Sequence, residues 1–329
     1  MINKPDLNKR VFITGVAGFV GFHLACRLLE RGVSVAGMDN INDYYDPGLK
    51  KARLDILRRH GGFEFVKGDI SRIDDVNGAF ERAGPDVVVN LAAQAGVRYS
   101  IDNPAAYMDS NVTGFFNILE VCRKRKPFHL VYASSSSVYG NQQKTPFSVL
   151  DMTDTPISLY AATKKANELM AHTYSHLYGI PCTGLRFFTV YGPYGRPDMA
   201  YFTFTKNILD GVPIKVFNDG DMYRDFTYVD DITKSLEIIM YNPPDDAKPP
   251  FRVYNIGNNR PERLSDFIAA LEDIIGKKAV KQYLPMQPGD VYQTYADIDS
   301  LTERFGFRPS TDMRAGLTKF VEWYKDYYK

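Results

Sequence analysis

The stretch VFITGVAGFVG, residues 11–21, decides how the rest of the chain is read. A short apolar run is followed directly by closely spaced glycines and then by the helical pattern GFHLACRLLERG. Glycines at this spacing between a strand and a helix let backbone N–H groups and the helix N-terminus approach a pyrophosphate. The stretch therefore predicts a strand, turn and helix that bind a dinucleotide. The binding residues predicted here are Gly15, Gly18, Phe19, Val20 and Gly21.

Outside this stretch, short apolar runs alternate with longer helical patterns. The runs VSVAGM, FEFVKG, DVVVNLA, HLVYAS and CTGLRFF are rich in Val, Phe and Ile, which is typical of buried strands in a parallel sheet. The segments between them are long enough for crossover helices. This alternation predicts an α/β fold with a doubly wound, Rossmann-like parallel sheet.

The local composition of the sequence changes after about residue 190, where Pro, Gly and Asp cluster. Examples are VYGPYGRPDM, VFNDGDMYRDF and YNPPDDAKPP. We therefore expect a dinucleotide-binding domain made mainly of residues 1–188 and a smaller C-terminal α/β region, residues 189–329, that binds substrate. Some exchange of chain between the two parts is expected.

Composition excludes several classes of partner. Lys and Arg number 40 against 39 Asp and Glu, and the net charge of +1 gives no field to attract nucleic acid or an anionic membrane. Cys26, Cys122 and Cys182 are odd in number and far apart, which indicates neither a disulfide framework nor a thiolate metal site. No stretch approaches the roughly 18 apolar residues of a membrane span, and the start MINKPDLNKR has no apolar signal segment. We expect a cytoplasmic protein that binds no metal, nucleic acid or membrane.

Acidic residues follow the next two strands. Asp39 comes about 20 residues after the glycines, where a carboxylate accepts hydrogen bonds from the ribose 2′-hydroxyl of NAD and repels the 2′-phosphate of NADP. The predicted cofactor is therefore NAD. Asp69, in VKGDI, can reach the adenine edge or can be a solvated loop acid.

Two further segments carry groups that can move protons. LYAATKKANEL places Tyr160 and Lys164 four residues apart on a helix, so their side chains share one face. A neighbouring ammonium favours the phenolate of a tyrosine, although the same spacing also occurs on ordinary exposed helices. YASSSSVYG, residues 132–140, ends a strand at the edge where open α/β sheets bind ligands. For Ser134 the alternative is a turn serine that satisfies its own backbone.

The glycine turn, SSSSVYG and Tyr-x-x-x-Lys together resemble the extended short-chain dehydrogenase/reductase family over essentially the whole chain. The resemblance implies a catalytic triad of Ser135, Tyr160 and Lys164, in which Ser135 hydrogen-bonds the reacting oxygen. Members that dehydrate or decarboxylate nucleotide sugars carry an acid after the catalytic hydroxyl, where this chain has Ser136 and Ser137. The resemblance therefore implies an epimerisation, in which NAD takes a hydride and returns it to the opposite face of the sugar.

The loops TVYGPYGRPDMA and AAQAGVRYS resemble those of UDP-glucuronate 4-epimerases. UDP-galactose 4-epimerases usually have an asparagine at the position of Thr189. The resemblance implies that Arg196 binds the sugar carboxylate, which a guanidinium matches in a bidentate pair, and Arg98 is a second candidate. Thr189 and Ser136 can assist through their hydroxyls. The alternative is that either arginine pairs with a protein acid such as Asp198 or braces a loop.

The segments MYRDFTYVDDI and QPGDV resemble the family's nucleotide clamp. By this resemblance Arg224 binds the diphosphate and Asp290 the uridine ribose. Many relatives have arginine or lysine where Gln287 stands in this chain. The alternative for Arg224 is a salt bridge with Asp225 or Asp221.

Together, these resemblances imply an NAD-dependent 4-epimerase that converts UDP-glucuronate into UDP-galacturonate through a 4-keto intermediate. A 4-epimerase of UDP-glucose or UDP-N-acetylglucosamine, a decarboxylating or dehydrating enzyme, and an NAD-binding sensor without activity are the alternatives. The resemblance also implies a homodimer formed by helices near residues 104–126 and 160–178. The remaining predicted cofactor-binding residues are Asn40, Ile70, Leu91, Ala92, Ala93, Gln94 and Asn111, with Tyr160 and Lys164. The predicted substrate-binding residues are Arg98, Ser135, Ser136, Ser137, Thr189, Arg196, Arg224 and Asp290.

Overall fold

The computed structural model describes residues 6–286 and 290–329. Its strands are β1 (Val11–Thr14), β2 (Val35–Asp39), β3 (Phe63–Lys67), β4 (Val87–Asn90), β5 (His129–Ser135), β6 (Cys182–Phe187), β7 (Thr189–Tyr191), β8 (Ile214–Phe217), β9 (Tyr223–Tyr228), β10 (Phe251–Ile256), β11 (Pro261–Arg263) and β12 (Lys281–Leu284). The short apolar runs of the first part of the sequence all form strands.

Helices alternate with these strands. They are α1 (Phe19–Glu30), α2 (Pro47–Leu57), α3 (Ile73–Ala83), α4 (Tyr99–Asp102), α5 (Pro104–Tyr107), α6 (Gly114–Arg125), α7 (Leu159–Tyr178), α8 (Ala200–Asp210), α9 (Val229–Met240), α10 (Leu264–Ile275), α11 (Asp299–Phe305) and α12 (Met313–Tyr327). A π-helical turn, Met108–Thr113, joins α5 to α6. No helix in the described ranges is long and apolar enough to cross a membrane.

Seven parallel strands form the central sheet, in the order β10-β6-β5-β4-β1-β2-β3. The chain builds outward from β1 through β2 and β3, then returns to the other side of β1 with β4. The strand order therefore reverses between β1 and β4, and a doubly wound sheet binds its ligand in the crevice beyond the strand ends at such a point. The predicted doubly wound parallel sheet is confirmed.

The C-terminal part of the chain contributes to this sheet. β10 pairs in parallel with β6, with Phe251 opposite Cys182. α9 buries Ile232 and Leu236 in the same apolar cluster as Val11 of β1. A boundary at residue 188 stays a prediction, but strand β10 and helix α9 complete the sheet and one of the layers that cover it.

A second apolar cluster lies in the region after β6. β7 pairs in parallel with β9, whose other edge pairs with β11. Helices α8, α10 and α12 cover them, and Phe226 of β9 stacks on Phe267 of α10 with ring centroids 4.3 Å apart. Aromatic packing therefore gives this smaller α/β region its own core.

Candidate active site

The turn between β1 and α1 is closed by contacts that exclude a side chain. Gly15 has a φ of +71°, and a Cβ there would lie 2.7 Å from the backbone nitrogen of Ala92. A Cβ on Gly21 would lie 2.3 Å from the carbonyl oxygen of Gly15. α1 begins at Phe19 after Gly18, which has no side chain to occupy the first N–H groups. The turn and the helix N-terminus therefore fit a dinucleotide pyrophosphate.

Asp39 lies at the end of β2, against this turn. Its carboxylate accepts hydrogen bonds from the N–H groups of Ala17, at 3.1 Å, and Ile41, at 2.8 Å. Nζ of Lys50 lies 4.0 Å from Oδ1 of Asp39, and burial lowers the pKa of Lys50. Two backbone bonds use part of the carboxylate's acceptor capacity, and the remaining lone pairs can accept from ribose hydroxyls.

Asn40 and Asp69 meet beyond the ends of β2 and β3. Nδ2 of Asn40 donates to Oδ2 of Asp69 at 2.9 Å, and Ser71 donates to the other carboxylate oxygen through its backbone N–H and its hydroxyl. Burial works to raise the pKa of Asp69, but these hydrogen bonds outweigh it, and the net shift is downward. Ile70 beside it is buried. Contacts of these residues with adenine stay a prediction.

Asn111 joins the segment Leu91–Gln94, after β4, to helix α7. Its side chain accepts from the N–H of Gln94 at 2.8 Å and donates to the Gln94 carbonyl and to the Thr163 hydroxyl, both at 3.0 Å. Ala92 N–H donates to the hydroxyl of Thr14 in β1. Three neighbouring elements are thus fixed relative to one another. Thr163 was not predicted as a site residue, although its position between Tyr160 and Lys164 in the sequence could have indicated one.

The three predicted triad residues come together where β5 meets the start of α7. Ser135 ends β5, and its hydroxyl lies near enough to the phenol of Tyr160 to lower the pKa of that phenol. Lys164, 4% exposed, donates from Nζ to the carbonyl of Ala133 at 2.9 Å. The hydroxyls of Ser135 and Ser137 lie 3.1 Å apart. The arrangement places a phenol, a hydroxyl and an ammonium beside the crevice of the sheet.

Burial determines the protonation behaviour of this group. It raises the pKa of Tyr160, against the opposing hydrogen bond from Ser135 and the positive charge of Arg196. It lowers the pKa of Lys164 to about 8, because an ammonium is poorly solvated there. In the protein alone the phenol is therefore protonated. Added positive charge at the site, such as that of an oxidised nicotinamide ring, favours the phenolate.

A buried ion pair underlies the triad. The Ser134 hydroxyl donates to Glu168 at 2.7 Å rather than to its own backbone, so the turn interpretation of Ser134 was wrong. Arg186 donates to both oxygens of Glu168 at 2.8 Å, and both side chains are 5% exposed. Glu168 follows Lys164 by one helical turn on the buried face of α7. This spacing is the signal that could have predicted Glu168.

Arg196 lies close enough to Tyr160 for its charge to act on the phenol. Its guanidinium donates from Nε and Nη2 to Asp198, with Nε 3.1 Å from Oδ1. The Tyr44 hydroxyl donates to the same carboxylate at 3.2 Å. Burial works to lower the pKa of Arg196, but the charge of Asp198 outweighs it and the pKa is raised. The alternative of pairing with Asp198 is therefore observed, and Nη1, which has no hydrogen bond to a residue that the structure describes, can meet a ligand. Nothing in the sequence pattern indicated Tyr44.

Arg98, Arg224 and Asp290 form a separate group. Nη2 of Arg98 lies 3.2 Å from Oδ2 of Asp290, and its guanidinium lies 5.2 Å from the ring centre of Phe217. Arg224 donates to the carbonyls of Tyr223 and Tyr292. Burial lowers the pKa of Arg224, while the charge of Asp290 opposes this shift and the smaller effect of Arg98 adds to it. The two arginines thus face one acid and carry excess positive charge.

The predicted alternative for Arg224 does not occur. Asp225 is buried and accepts from the N–H groups of Asn258, Asn259 and Ala296, while Asp221 pairs with Arg263. Burial raises the pKa of Asp225 to about 6. Arg224 is therefore held by carbonyls, and the acid whose charge acts on it is Asp290. Gln287 lies outside the described residues.

Thr189 and Ser136 occupy the starts of two short elements. Thr189 opens β7 opposite Phe226, and Ser136 opens a 3₁₀ turn, Ser136–Tyr139. Both are half-buried. Neither hydrogen-bonds Arg196 within the ranges that the structure describes. Their contacts with substrate, and those of Ser137, stay predictions.

A glycine turn at the reversal point of a parallel sheet, with a Ser–Tyr–Lys group beside it, defines an extended short-chain dehydrogenase/reductase. The chain belongs to the NAD-dependent epimerase/dehydratase family, whose sequence model matches residues 11–257. The predicted family and the predicted dependence on NAD are thereby confirmed.

Three individual proteins are similar to this chain over nearly its whole length. The chain is 53% identical to protein CapI of Staphylococcus aureus, over 97% of this chain and 99% of that one. It is 46% identical to a probable UDP-glucuronate 4-epimerase of Rhizobium meliloti, over 97% and 98% of the two chains. The crystal structure of UDP-glucuronic acid 4-epimerase from Bacillus cereus, in complex with UDP-glucuronic acid and NAD, matches with a TM-score of 0.90 and 33% identity, over 97% of this chain and all of that one.

Proposed function

We infer that the protein catalyses NAD-dependent 4-epimerisation of UDP-glucuronate to UDP-galacturonate. The observation that carries this inference is a guanidinium, Arg196, within electrostatic reach of the Tyr160 phenol. A hexuronate substrate brings a carboxylate close to the 4-hydroxyl group, and this pair of groups matches its shape and charge. Relatives named UDP-glucuronate 4-epimerases, similar over nearly the whole chain, support it.

The residues around Ser135 suit reversible oxidation. Bound NAD would supply a hydride acceptor for C4 of the sugar, and return of the hydride to the opposite face of the 4-keto sugar would invert that carbon. Tyr160 takes the proton of the 4-hydroxyl group and gives it back, and Ser135 hydrogen-bonds the same oxygen. Lys164 supplies positive charge that favours the phenolate. Ser136 and Ser137 follow in place of an acid, so these two positions offer no extra acid or base for elimination.

Arg196 has a second task when the substrate is a uronate. The 4-keto intermediate is a β-keto acid, which loses carbon dioxide when its carboxylate bond stands perpendicular to the carbonyl plane. A carboxylate held by Nη1 of Arg196, with hydroxyls of Ser136 and Thr189, can be kept out of that orientation. Asp198 fixes the guanidinium from its other edge. We therefore assign Arg196 to the substrate carboxylate.

The group formed by Arg98, Arg224 and Asp290 suits the UDP part of the substrate. Two guanidinium groups opposite one carboxylate leave a net positive charge for a diphosphate. Asp290 can accept from ribose hydroxyls. Arg98 lies against Asp290, so we assign it to the diphosphate rather than to the sugar carboxylate.

The proposal is tested by incubating the purified protein with UDP-glucuronate, UDP-glucose and UDP-N-acetylglucosamine in parallel. Chromatography of the nucleotide sugars should show UDP-galacturonate as the main product. A UDP-pentose as the main product would mean decarboxylation instead. Turnover of a neutral UDP-sugar at the higher rate would reassign the substrate, and no product from any of the three would reassign the protein to a non-enzymatic role.

A homodimer is proposed from the surface of α6 and α7. These helices pack on each other and leave Phe116, Leu169 and Leu177 exposed, the last two by 58% and 61%. Paired with a second copy, this face would be covered. Sedimentation of the protein should give twice the chain mass, and Leu169→Glu should reduce it to one chain. Leu150→Glu, at a site that is 91% exposed in a loop, is the matched control and should leave the dimer intact.

A cytoplasmic location is also proposed. Cys26, Cys122 and Cys182 are free thiols, and burial raises the pKa of each. Such thiols favour a reducing compartment. Fractionation of cells that produce the protein would test this location.

A further inference from the structure

Arg53, on α2, is a fully buried arginine, and its hydrogen-bond partners in the described part of the chain are all uncharged. Nη1 donates to the carbonyl of Ala17 and to the hydroxyl of Tyr45, both at 2.7 Å. Nη2 donates to the carbonyls of Tyr194 and Gly195. The guanidinium therefore binds three backbone carbonyls and one phenol.

Burial of Arg53 among uncharged partners does not favour the stability of the fold. A buried charge that meets only neutral groups is less favourable than an apolar side chain of similar size. Nε of Arg53 is also buried and has no hydrogen-bond partner among residues 6–286 and 290–329. Stability by itself does not explain a guanidinium at this position. The role of Arg53 is therefore sought in the segments that it connects.

One of those segments is the glycine turn. Ala17 lies between Gly15 and Gly18, and its N–H donates to Asp39 while its carbonyl accepts from Arg53. The peptide groups of Ala17 are therefore held from both sides, by the acid that is assigned to the NAD ribose and by the guanidinium. The orientation of the turn depends on both.

The other segment directly precedes Arg196. Arg53 holds the carbonyls of Tyr194 and Gly195, and Nε2 of His23 donates to the carbonyl of Pro193 at 2.8 Å. Burial lowers the pKa of His23 to about 4, so the ring is neutral at physiological pH. Three consecutive carbonyls are thus held by side chains from α1 and α2.

The loop has little freedom to move away from these contacts. The N–H of Arg196 donates to the hydroxyl of Tyr201, and a Cβ on Gly195 would lie 2.0 Å from that oxygen. Tyr194 has a φ of +53°, and its ring packs on Trp323 at 4.8 Å. A backbone held so closely transmits a displacement at Arg53 to Arg196.

We propose that Arg53 is a positioning residue that couples the NAD-binding turn to the arginine of the uronate site. Through one guanidinium, the binding of the dinucleotide at Gly15–Phe19 and the placement of Arg196 depend on each other. This inference rests on the proposed function, because it takes NAD and UDP-glucuronate as the ligands. It adds a residue of α2 that touches neither ligand.

The test uses the NAD holoenzyme and two probes, UDP-glucuronate and UDP, with dissociation constants measured by titration calorimetry. Arg53→Met keeps the length of the side chain and removes its charge and donors. We expect the variant to bind UDP-glucuronate about 10-fold more weakly, and UDP less than about 3-fold more weakly, since only the former uses Arg196. NAD should also dissociate faster from the variant, in an assay of released nucleotide.

Arg27→Met is the matched control. Arg27 is a partly buried arginine that ties α1 to Glu237 of α9, away from the loop before Arg196. A merely structural effect of losing an arginine would weaken both probes equally in the two variants. An unchanged ratio of the two dissociation constants in Arg53→Met, with NAD retained as in the wild type, would overturn the proposal.

Two milder variants keep the test decisive if Arg53→Met does not fold. Arg53→Lys keeps the charge but cannot span both pairs of acceptors, and Tyr45→Phe removes one acceptor. Both should shift the ratio in the same direction by about 2- to 3-fold, and a ratio that is unchanged in both contradicts the coupling. Wild-type protein that binds neither probe would instead contradict the proposed function.

Discussion

The triad and the surroundings of Arg196 lie within one site but are built in opposite ways. Tyr160, Lys164 and Ser135 come from two adjoining elements, α7 and β5, and the ammonium of Lys164 has a carbonyl as its partner. Arg196 is fixed by segments from α2, from the loop after β2 and from its own loop. The triad is local in sequence, whereas the surroundings of Arg196 are assembled over long distances.

Their electrostatics differ in the same way. Burial of Lys164 without an acid brings its pKa to about 8, within reach of physiological pH. Asp198 instead keeps Arg196 charged over the whole working range. One half of the site is therefore suited to moving protons, and the other to holding a fixed charge against a carboxylate.

The largest effect expected is that of Tyr160→Phe, which removes the proton-moving half. We expect kcat to fall by about 10³- to 10⁴-fold for every UDP-sugar that the protein accepts. The dissociation constant of UDP should stay the same, because the group proposed to bind UDP, Arg98, Arg224 and Asp290, does not include the phenol. Steady-state rates with calorimetry of UDP binding check both points, and undiminished turnover would remove Tyr160 from the chemistry.

Arg196→Met is the corresponding change in the fixed-charge half. It should lower kcat/KM for UDP-glucuronate by about 100-fold, the scale of a lost charge-assisted pair, and leave any turnover of UDP-glucose nearly unchanged. UDP-pentose should rise as a fraction of product, because the carboxylate is no longer held. Equal losses with both sugars would mean that Arg196 acts mainly through Tyr160.

Lys164→Met tests, through the free energy of unfolding, whether the lysine of the proton-moving half is buried without a compensating charge. Between the pKa of about 8 in the folded protein and the ordinary value of 10.5, the unfolded chain binds more protons. The free energy of unfolding of the wild type therefore rises with pH across this window. The Met variant should be more stable than the wild type at pH 7, by up to about 3 kcal/mol, and this advantage should shrink at pH 10.

Urea denaturation of both proteins without added ligands measures that difference. A gap that stays constant between pH 7 and pH 10 would show that Lys164 is not desolvated in the folded state.

Tyr44→Phe should have the smallest effect. It removes one hydrogen bond to Asp198 and leaves the pair with Arg196 in place. We expect KM for UDP-glucuronate to rise about 3- to 5-fold with kcat unchanged. Tyr99→Phe keeps the aromatic contact with Tyr44 and serves as the control. A large fall in kcat for Tyr44→Phe would contradict a role limited to holding Asp198.

Much of the cofactor half was predictable because its chemistry follows from local spacing. The turn at Gly15 leaves no room for a side chain, and Tyr160 and Lys164 share a helical face whatever surrounds them. The pair of Glu168 with Arg186, and the contacts of Arg53 with Tyr194, join residues that no periodicity relates. Arg98, the second candidate for the sugar carboxylate, pairs with Asp290, and no spacing in the sequence relates these two residues.

By itself, the sequence determined the doubly wound sheet, the dinucleotide turn and the proton-moving pair, because each depends on the conformation of neighbouring residues. Only the tertiary structure decided which charges meet. Arg196 faces Asp198 and Tyr44, and Arg53 meets carbonyls of two distant loops. Such contacts depend on packing across the whole molecule. In a buried site without water the effective dielectric constant is low, so the partner of each charge has a large effect on its energy.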